Sequence, residues 1–173
     1  IKGDIKHIGR YAFNSTGFYN NKDNWDTNAL YLGDYLISVN NTVSGTYEIK
    51  SGVKTIGDYA LSYCAITSLK IPDTVKYIGN NAFYYCEKLN NITIPDSVTS
   101  IGNLAISDCT ALTKIIFLGD APSITSSAFT GVTATAKYPL VNTTWTSSKR
   151  QNYGGTITWE AVCTNHNEVV SKA

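Results

Sequence analysis

One twelve-residue string recurs along the chain and constrains the fold more than any other feature. The copy at residues 75–86 reads VKYIGNNAFYYC, and all three copies share the pattern V-x-x-I-G-x-x-A-(apolar)-x-x-C. The Ile-Gly pair falls at Ile56, Ile78 and Ile101, so the copies follow one another at 22 and 23 residues. A fixed period of this length predicts a solenoid, in which each copy forms one coil of a stacked array.

A second repeated segment predicts one short parallel strand in each coil. Its residues alternate between apolar and mostly polar types, which is the period-two pattern of a half-buried strand. The segments with this pattern are residues 47–50, 69–72, 92–95 and 115–118, with an echo at 136–139. Opposite the strands we expect turns and short helical turns. The Gly after each anchor Ile is expected there in a positive-φ turn.

The N-terminal part of the array is less regular. Ile8 begins a copy of the anchor, and Leu32 begins a degenerate copy that lies 24 residues from both Ile8 and Ile56. Residues 14–28 are polar and rich in Asn, which predicts an insertion loop between coils. The solenoid is therefore expected to be right-handed, to fill residues 1–139 and to have about six coils.

The C-terminal part departs from the repeat. Residues 140–162 contain bulky aromatic side chains that do not follow the period. Because a solenoid needs a cap over the open end of its core, we assign these residues to a C-terminal cap. Residues 163–173 are polar and are expected to form a tail or linker.

Charge and composition exclude several classes of protein. The net charge is +1 and no apolar run approaches 18 residues, so neither nucleic-acid binding nor membrane insertion is expected. The chain begins with Ile rather than Met, and we interpret it as a mature or trimmed piece of a longer protein. Its 12 Tyr and many Asn, Thr and Ser residues favour an extracellular or cell-surface location.

Three cysteines occupy one position of the repeat. Cys64, Cys86 and Cys109 would point in the same direction from neighbouring coils, and three thiols cannot all pair. We therefore expect a column of small buried thiols. A metal site is not expected, since ligands on three successive coils form a line rather than a tetrahedron.

The repeat resembles the BspA-type leucine-rich repeat. The best copy runs from Ile78 to Pro95 and has the form I-G-x-x-A-F-x-x-C…L-x-x-I-x-I-P. The resemblance covers roughly residues 1–160 and implies a leucine-rich-repeat solenoid. It also implies a bacterial or protist surface or secreted protein that adheres to matrix proteins, other cells or polysaccharide, without catalytic residues or a cofactor.

The outward positions of the strands form the first candidate binding surface. Repeat proteins bind macromolecules on such extended faces. The alternative is a face that is only solvated. The candidate residues are Glu48, Ser68, Lys70, Asn91, Thr93, Lys114 and Ile116.

Outward-facing tyrosines form a second candidate surface. Exposed Tyr favours contact with proteins or sugars, whereas the alternative is stacking between coils. The candidates are Tyr59, Tyr63, Tyr77, Tyr84 and Tyr85.

Catalysis is not expected. The two histidines, His7 and His166, lie near opposite ends of the chain, and neither belongs to a catalytic motif. Two hypotheses of function remain. One is a monomeric, non-enzymatic module that adheres to an extracellular protein or polysaccharide through the strand face. The other is a structural spacer that presents another domain of a larger surface protein.

Overall fold

The computed structural model describes residues 6–163, which form a solenoid of about six turns. Its helical segments are α1 (Gly17–Asn20) and two 3-10 helices, Lys22–Asn24 and Ser147–Lys149. The strands, in chain order, are β1 (Trp25–Asp26), β2 (Ala29–Leu32), β3 (Tyr35–Val39), β4 (Ser44–Glu48), β5 (Thr55–Ile56), β6 (Ala65–Lys70), β7 (Tyr77–Ile78), β8 (Asn91–Ile94), β9 (Ser100–Ile101), β10 (Lys114–Phe117), β11 (Ser123–Ile124), β12 (Thr133–Pro139) and β13 (Thr156–Val162).

The strands form two sheets that run along the solenoid. One sheet has the order β4-β6-β8-β10-β12-β13, and all its strands pair in parallel. We call it the long-strand sheet. The other has the order β1-β2-β3-β5-β7-β9-β11, and most of its strands contain only two residues. We call it the short-strand sheet, and the apolar core lies between the two sheets.

The register of the long-strand sheet confirms the predicted strand equivalence. Tyr47 lies opposite Leu69, Leu69 opposite Ile92, and Ile92 opposite Ile115. Ala136 follows in the same row, as the echo of the pattern predicts. The short-strand sheet was not predicted. In the regular coils each of its strands consists of the anchor Ile and the residue before it, and two residues leave too little alternation to recognise.

The core consists of columns of equivalent side chains. The columns include Ile56, Ile78 and Ile101; Ala60, Ala82, Ala105 and Ala128; Leu61, Phe83, Ile106 and Phe129; and Cys64, Cys86, Cys109 and Val132, all 2% exposed or less. The predicted row of cysteines is confirmed, and each of its thiols is free and buried. Stacking therefore places each residue type of the repeat on its counterpart in the next coil.

The predicted turns opposite the strands are tight turns rather than α-helical ones. In residues 57–64, Ala60 N donates to Gly57 O and Ser62 N to Tyr59 O, each at 3.2 Å. The residues between them bond to the next coil, as Leu61 N does to Ala82 O at 2.8 Å. From Tyr59 to Cys64 the amides of this turn therefore alternate between a carbonyl of the next coil and a local carbonyl.

The prediction that the anchor glycines take a positive φ is wrong. In the copy at residues 53–64 the positive φ angles occur two and six residues after the glycine, at Tyr59 (58°) and Tyr63 (62°). Gly79 is required for a different reason. A Cβ atom built there would lie 2.7 Å from Asp58 Oδ1 and 2.8 Å from Asp58 N. The glycine thus allows two coils to approach closely.

The close approach at Gly79 supports a row of side-chain hydrogen bonds between coils. Asp58 Oδ1 accepts from Asn80 N at 2.8 Å, and Asn80 Oδ1 accepts from Asn103 N at 2.7 Å. Ser127 Oγ donates to Asn103 Oδ1 and extends the row by one coil. The first two of these bonds satisfy backbone amides, Asn80 N and Asn103 N, that the tight turns leave without a local acceptor.

The degenerate copy near Leu32 has a different register from the predicted one. Leu36, rather than Leu32, lies opposite Ile56, and Leu36 is fully buried. Strands β2 and β3 form an antiparallel hairpin whose turn contains Gly33 at φ 61°. Residues 14–28, predicted as an insertion loop, contain α1, a 3-10 helix and the short strand β1, which pairs with the hairpin.

The predicted cap region, residues 140–162, contains one more strand. Strand β13 pairs in parallel with β12 over seven residues. The prediction that residues 136–139 form the final strand of the solenoid is therefore wrong. Trp145 is buried, and its ring centroid lies 4.7 Å from that of Phe117 and 5.3 Å from that of Trp159. These rings cover the last coil of the core. Residues 1–5 and most of the predicted tail lie outside the described residues.

Candidate functional site

The predicted binding residues of the strands lie on one face of the long-strand sheet. Pairing of adjacent strands aligns their outward positions into two rows. The first row contains Thr46, Ser68, Asn91, Lys114, Thr135 and Thr158. The second contains Glu48, Lys70, Thr93, Ile116, Lys137 and Glu160. We call this surface the strand face, and it includes all seven residues that the sequence predicts.

Charge is distributed unevenly over the strand face. At one end Lys70 Nζ lies 2.6 Å from Glu48 Oε1, and at the other Lys137 Nζ lies 3.4 Å from Glu160 Oε2. Glu48, Lys70 and Glu160 are exposed and Lys137 is half-buried, so both pairs are accessible to solvent and contribute little to stability. Between them Lys114 has no ion-pair partner among the described residues. In the strand face, the lysines near the two ends are therefore neutralised by ion pairs, and Lys114 near the centre is available to a partner.

The centre of the strand face is also its least polar part. Ile116 and Thr93 lie opposite each other on neighbouring strands and are half-buried. Asn91 and Lys114 are exposed beside them. An apolar centre within a polar surround is the usual composition of a protein-binding surface.

Sequence reasoning missed five members of the strand face: Thr46, Thr135, Lys137, Thr158 and Glu160. Thr135 and Lys137 could have been found, because the repeat echo at residues 136–139 marks their strand. Thr158 and Glu160 lie on β13, within the region assigned to the cap. The alternation Ile157-Thr158-Trp159 was the available signal there.

The predicted tyrosine surface divides into three parts. Tyr63, Tyr84 and Tyr85 form one cluster with ring centroids 5.4 to 5.6 Å apart. Tyr59 instead lies against the guanidinium of Arg10, and Tyr77 belongs to the short-strand sheet. Partial desolvation, together with neighbouring Tyr63 and Asp108, raises the pKa of Tyr84.

The surroundings of the three buried cysteines indicate a role in packing rather than in reactivity. Cys86 Sγ donates to Leu61 O at 3.1 Å, and Cys109 Sγ donates to Phe83 O at 3.2 Å. Burial raises the pKa of Cys64 to about 12, and a hydrogen bond with Cys109 together with burial raises that of Cys86. Thiols with such pKa values stay protonated at neutral pH and are poor nucleophiles.

The described residues, 6–163, contain neither a candidate metal site nor a candidate membrane-spanning helix. No group of three or more His, Cys, Asp or Glu residues in this part of the chain is arranged to hold a metal ion. The same residues contain no helix with the length and apolar character needed to cross a membrane. The second histidine, His166, lies outside the described residues.

The repeat pattern also identifies the family. Residues 54–151 match the family model described as the BspA type leucine-rich repeat region, with 6 copies. The chain belongs to the BspA-type leucine-rich repeat family. The match covers more than half of the chain and includes most of the strand face. No match to this chain was found among curated proteins.

Solved structures of two bacterial leucine-rich repeat proteins resemble this BspA-type chain. One, from Eubacterium ventriosum, is 30% identical with a TM-score of 0.50, and the match covers 62% of this chain and 30% of that one. The other, from T. pallidum, is 17% identical with a TM-score of 0.48, and the match covers 61% of this chain and 64% of that one. The match thus spans less than a third of the length of the E. ventriosum protein.

Proposed function

We propose that this chain is a non-enzymatic interaction module at the cell surface or outside the cell, and that it adheres to a protein partner through the strand face. The observation that carries the proposal is the arrangement of two aligned rows of outward side chains, with a half-buried apolar centre at Ile116. Six strands at about 4.8 Å spacing give the face a width of roughly 24 Å. Such a surface suits an extended segment of a macromolecule.

The charges of the strand face favour a partner with an acidic group near its centre. Lys114 lies one strand away from the uncharged Asn91 and is not neutralised by an ion pair within the described residues. An acidic side chain placed over Lys114 would gain a charge pair, while an apolar neighbour would cover Ile116. Complementarity of this kind governs specificity and the rate of association.

Replacement of Lys70, Thr93 and Lys114 together by Ala is expected to weaken binding to the protein partner at least tenfold, because charge and contact are lost from Lys114 and Thr93 at the centre of the face and from Lys70 beside them. The measurement is saturable binding to an array of purified extracellular-matrix proteins, followed by titration of the best binder. A glycan array serves as a second arm, and saturable binding there with none on the protein array would contradict a protein partner.

The chain offers a control with the same three residue types. Lys54, Lys76 and Thr99 lie in successive coils beside the short-strand sheet, since Lys76 N donates to Lys54 O and Thr99 N to Lys76 O. Their triple Ala variant removes the same side chains and should bind as the unmodified protein does. Equal losses in the two variants would show that the strand face is not the binding surface.

The structural spacer is the competing function, and one observation favours it. The match spans only 30% of the length of the E. ventriosum protein, so a chain of this size can be one segment of a longer array. A spacer would give no saturable binding on either array. In that case the proposal of adhesion through this segment fails.

A further inference from the structure

The first copy of the anchor, residues 9–16, has the turn conformation of the repeat but is not stacked like the others. Tyr11 (φ 63°) and Ser15 (φ 61°) take the same positive angles as Tyr59 and Tyr63. Ala12 N donates to Gly9 O at 3.1 Å, as Ala60 N does to Gly57 O in the regular turn. Yet Ala12 is exposed, whereas the equivalent Ala60 is buried.

The fold explains why this turn is displaced. Strand β3 occupies the place next to β5 in the short-strand sheet, so the Ile8 segment cannot pair there. The backbone hydrogen bond from Asp58 N to Ile8 O, at 3.0 Å, holds the first turn beside the next coil instead. A gap consequently remains between residues 9–14 and residues 58–63.

This gap is a cleft of about 460 Å³. Its volume lies within the range of about 300–1,000 Å³ that is typical of small-molecule sites. The aromatic residues that line it are Tyr11, Phe13, Tyr19, Trp25, Tyr59 and Tyr63. Asn14, Asn41 and Ser62 add short polar side chains to the lining, and none of the strand-face residues takes part.

Arg10 is the cation of the cleft. Its guanidinium carbon lies 4.3 Å from the ring centroid of Tyr11 and 4.1 Å from that of Tyr59. Stacking on aromatic rings uses the flat faces of a guanidinium and leaves its in-plane N–H groups for an anion. No described residue accepts a hydrogen bond from this guanidinium.

Asp58, which contributes the carboxylate in the lining, interacts with Asn80 and His7. Its side chain is 8% exposed, and it accepts from Asn80 N at 2.8 Å and from Asn80 Nδ2 at 3.3 Å. His7 Nδ1 lies 3.3 Å from its Oδ1 atom. Among the described residues Asp58 forms no ion pair with Arg10, so the N–H groups of the guanidinium remain available to a ligand.

We propose that this cleft binds a carboxylate-bearing sugar, such as a uronic or sialic acid residue of an oligosaccharide. The tyrosine and tryptophan rings would stack on the apolar faces of the sugar, and the Asn and Ser side chains would bind its hydroxyl groups. The Arg10 fork matches a carboxylate in a bidentate arrangement. The site is separate from the strand face, so either can exist without the other.

The experiment titrates the protein with two matched pairs of saccharides. 3′-Sialyllactose is compared with lactose, and tetragalacturonate is compared with its fully methyl-esterified form. At least one acidic saccharide should bind saturably and at least tenfold more tightly than its uncharged counterpart. The preference should decrease as the salt concentration rises. Absence of saturable binding by both acidic probes, or equal affinity within both pairs, would overturn the proposal.

Variants locate the binding in the cleft. Arg10→Gln should remove the acidic preference, a loss of roughly 10- to 100-fold, because a charge-assisted pair is lost. Tyr11→Asn keeps a residue that tolerates positive φ but removes one stacking ring, and should weaken all saccharide binding. Lys88→Gln, at an exposed site away from the cleft, makes the same charge change and should have no effect.

The outcome separates this proposal from adhesion through the strand face. Unchanged affinity in Arg10→Gln, or an equal loss in Lys88→Gln, would overturn the saccharide site. The strand-face triple variant keeps Arg10 and should bind the acidic saccharide normally. Circular dichroism of each variant confirms that the fold is retained.

Discussion

Replacement of Phe83 by Ala is expected to lower the free energy of unfolding by about 3–5 kcal/mol. Phe83 is fully buried in the column between Leu61 and Ile106. Loss of its ring removes apolar contact with two neighbouring coils, and the rigid turns on either side prevent the space from closing. Urea denaturation measures this effect as a decrease in the transition midpoint with little change in slope.

Phe13→Ala is the matched control, because Phe13 holds the same position in the first copy of the anchor. Phe13 is only half-buried, and its ring lies 5.6 Å from that of Phe18 rather than in the core column. Its loss should therefore cost about 1 kcal/mol or less. Similar losses in the two variants would contradict the finding that the first turn is not stacked. A loss below about 1 kcal/mol in Phe83→Ala would contradict the buried column itself.

The second large effect is expected at Gly79. A Cβ atom at this position would lie 2.8 Å from the backbone carbon of Gly57 and 2.7 Å from Asp58 Oδ1. Because backbone atoms cannot rotate away, Gly79→Ala should separate the coils locally and lower the free energy of unfolding by about 3 kcal/mol, at the upper end of overpacking effects. The hydrogen bond from Asn80 N to Asp58 would be disturbed at the same time.

Two further variants test whether Gly79 is needed because the coils approach closely there or because its backbone requires a positive φ. Gly79→Asn should be at least as destabilising as Gly79→Ala, since the larger side chain meets the same atoms. If the glycine were needed for positive φ, Asn would be the better replacement. Gly17→Ala, where a Cβ atom meets nothing within 4 Å, should change stability by no more than about 0.5 kcal/mol.

The regular part of the fold could be predicted from the sequence because stacking requires the same type of side chain at the equivalent position of every coil. Ile56, Ile78 and Ile101 are each buried and pair in register along the short-strand sheet, so one residue type recurs at a fixed period. The strand register and the cysteine column follow from that period. A single coil would not have sufficed, since its alternation is only four residues long.

The N-terminal coils could not be predicted because local resemblance does not fix stacking. Leu32-Gly33-Asp34-Tyr35 resembles the anchor, but the chain uses Gly33 for a hairpin turn and buries Leu36 instead. The short-strand sheet was missed for a related reason. Strands such as Tyr77–Ile78 contain two residues, and pairing with neighbouring coils, rather than local sequence, makes them strands.

The two candidate sites, the strand face and the cleft at Arg10, differ in how well they could be predicted from the sequence. The strand face follows from alternation, so residues such as Lys70 and Thr93 were found directly. The cleft at Arg10 depends on the displacement of one turn by strand β3, which no local pattern encodes. For this reason Tyr59 was identified as an outward aromatic residue, but its contact with Arg10 was not.

The stacking of coils is tested most directly by NMR scalar couplings across hydrogen bonds. The structure places Leu61 N 2.8 Å from Ala82 O and Phe83 N 2.8 Å from Ala105 O. A long-range HNCO spectrum should therefore connect the Leu61 amide nitrogen to the Ala82 carbonyl carbon, and the Phe83 nitrogen to that of Ala105. Couplings from these amides to carbonyls three or four residues earlier in the chain would instead indicate helical turns and would contradict the stacked solenoid.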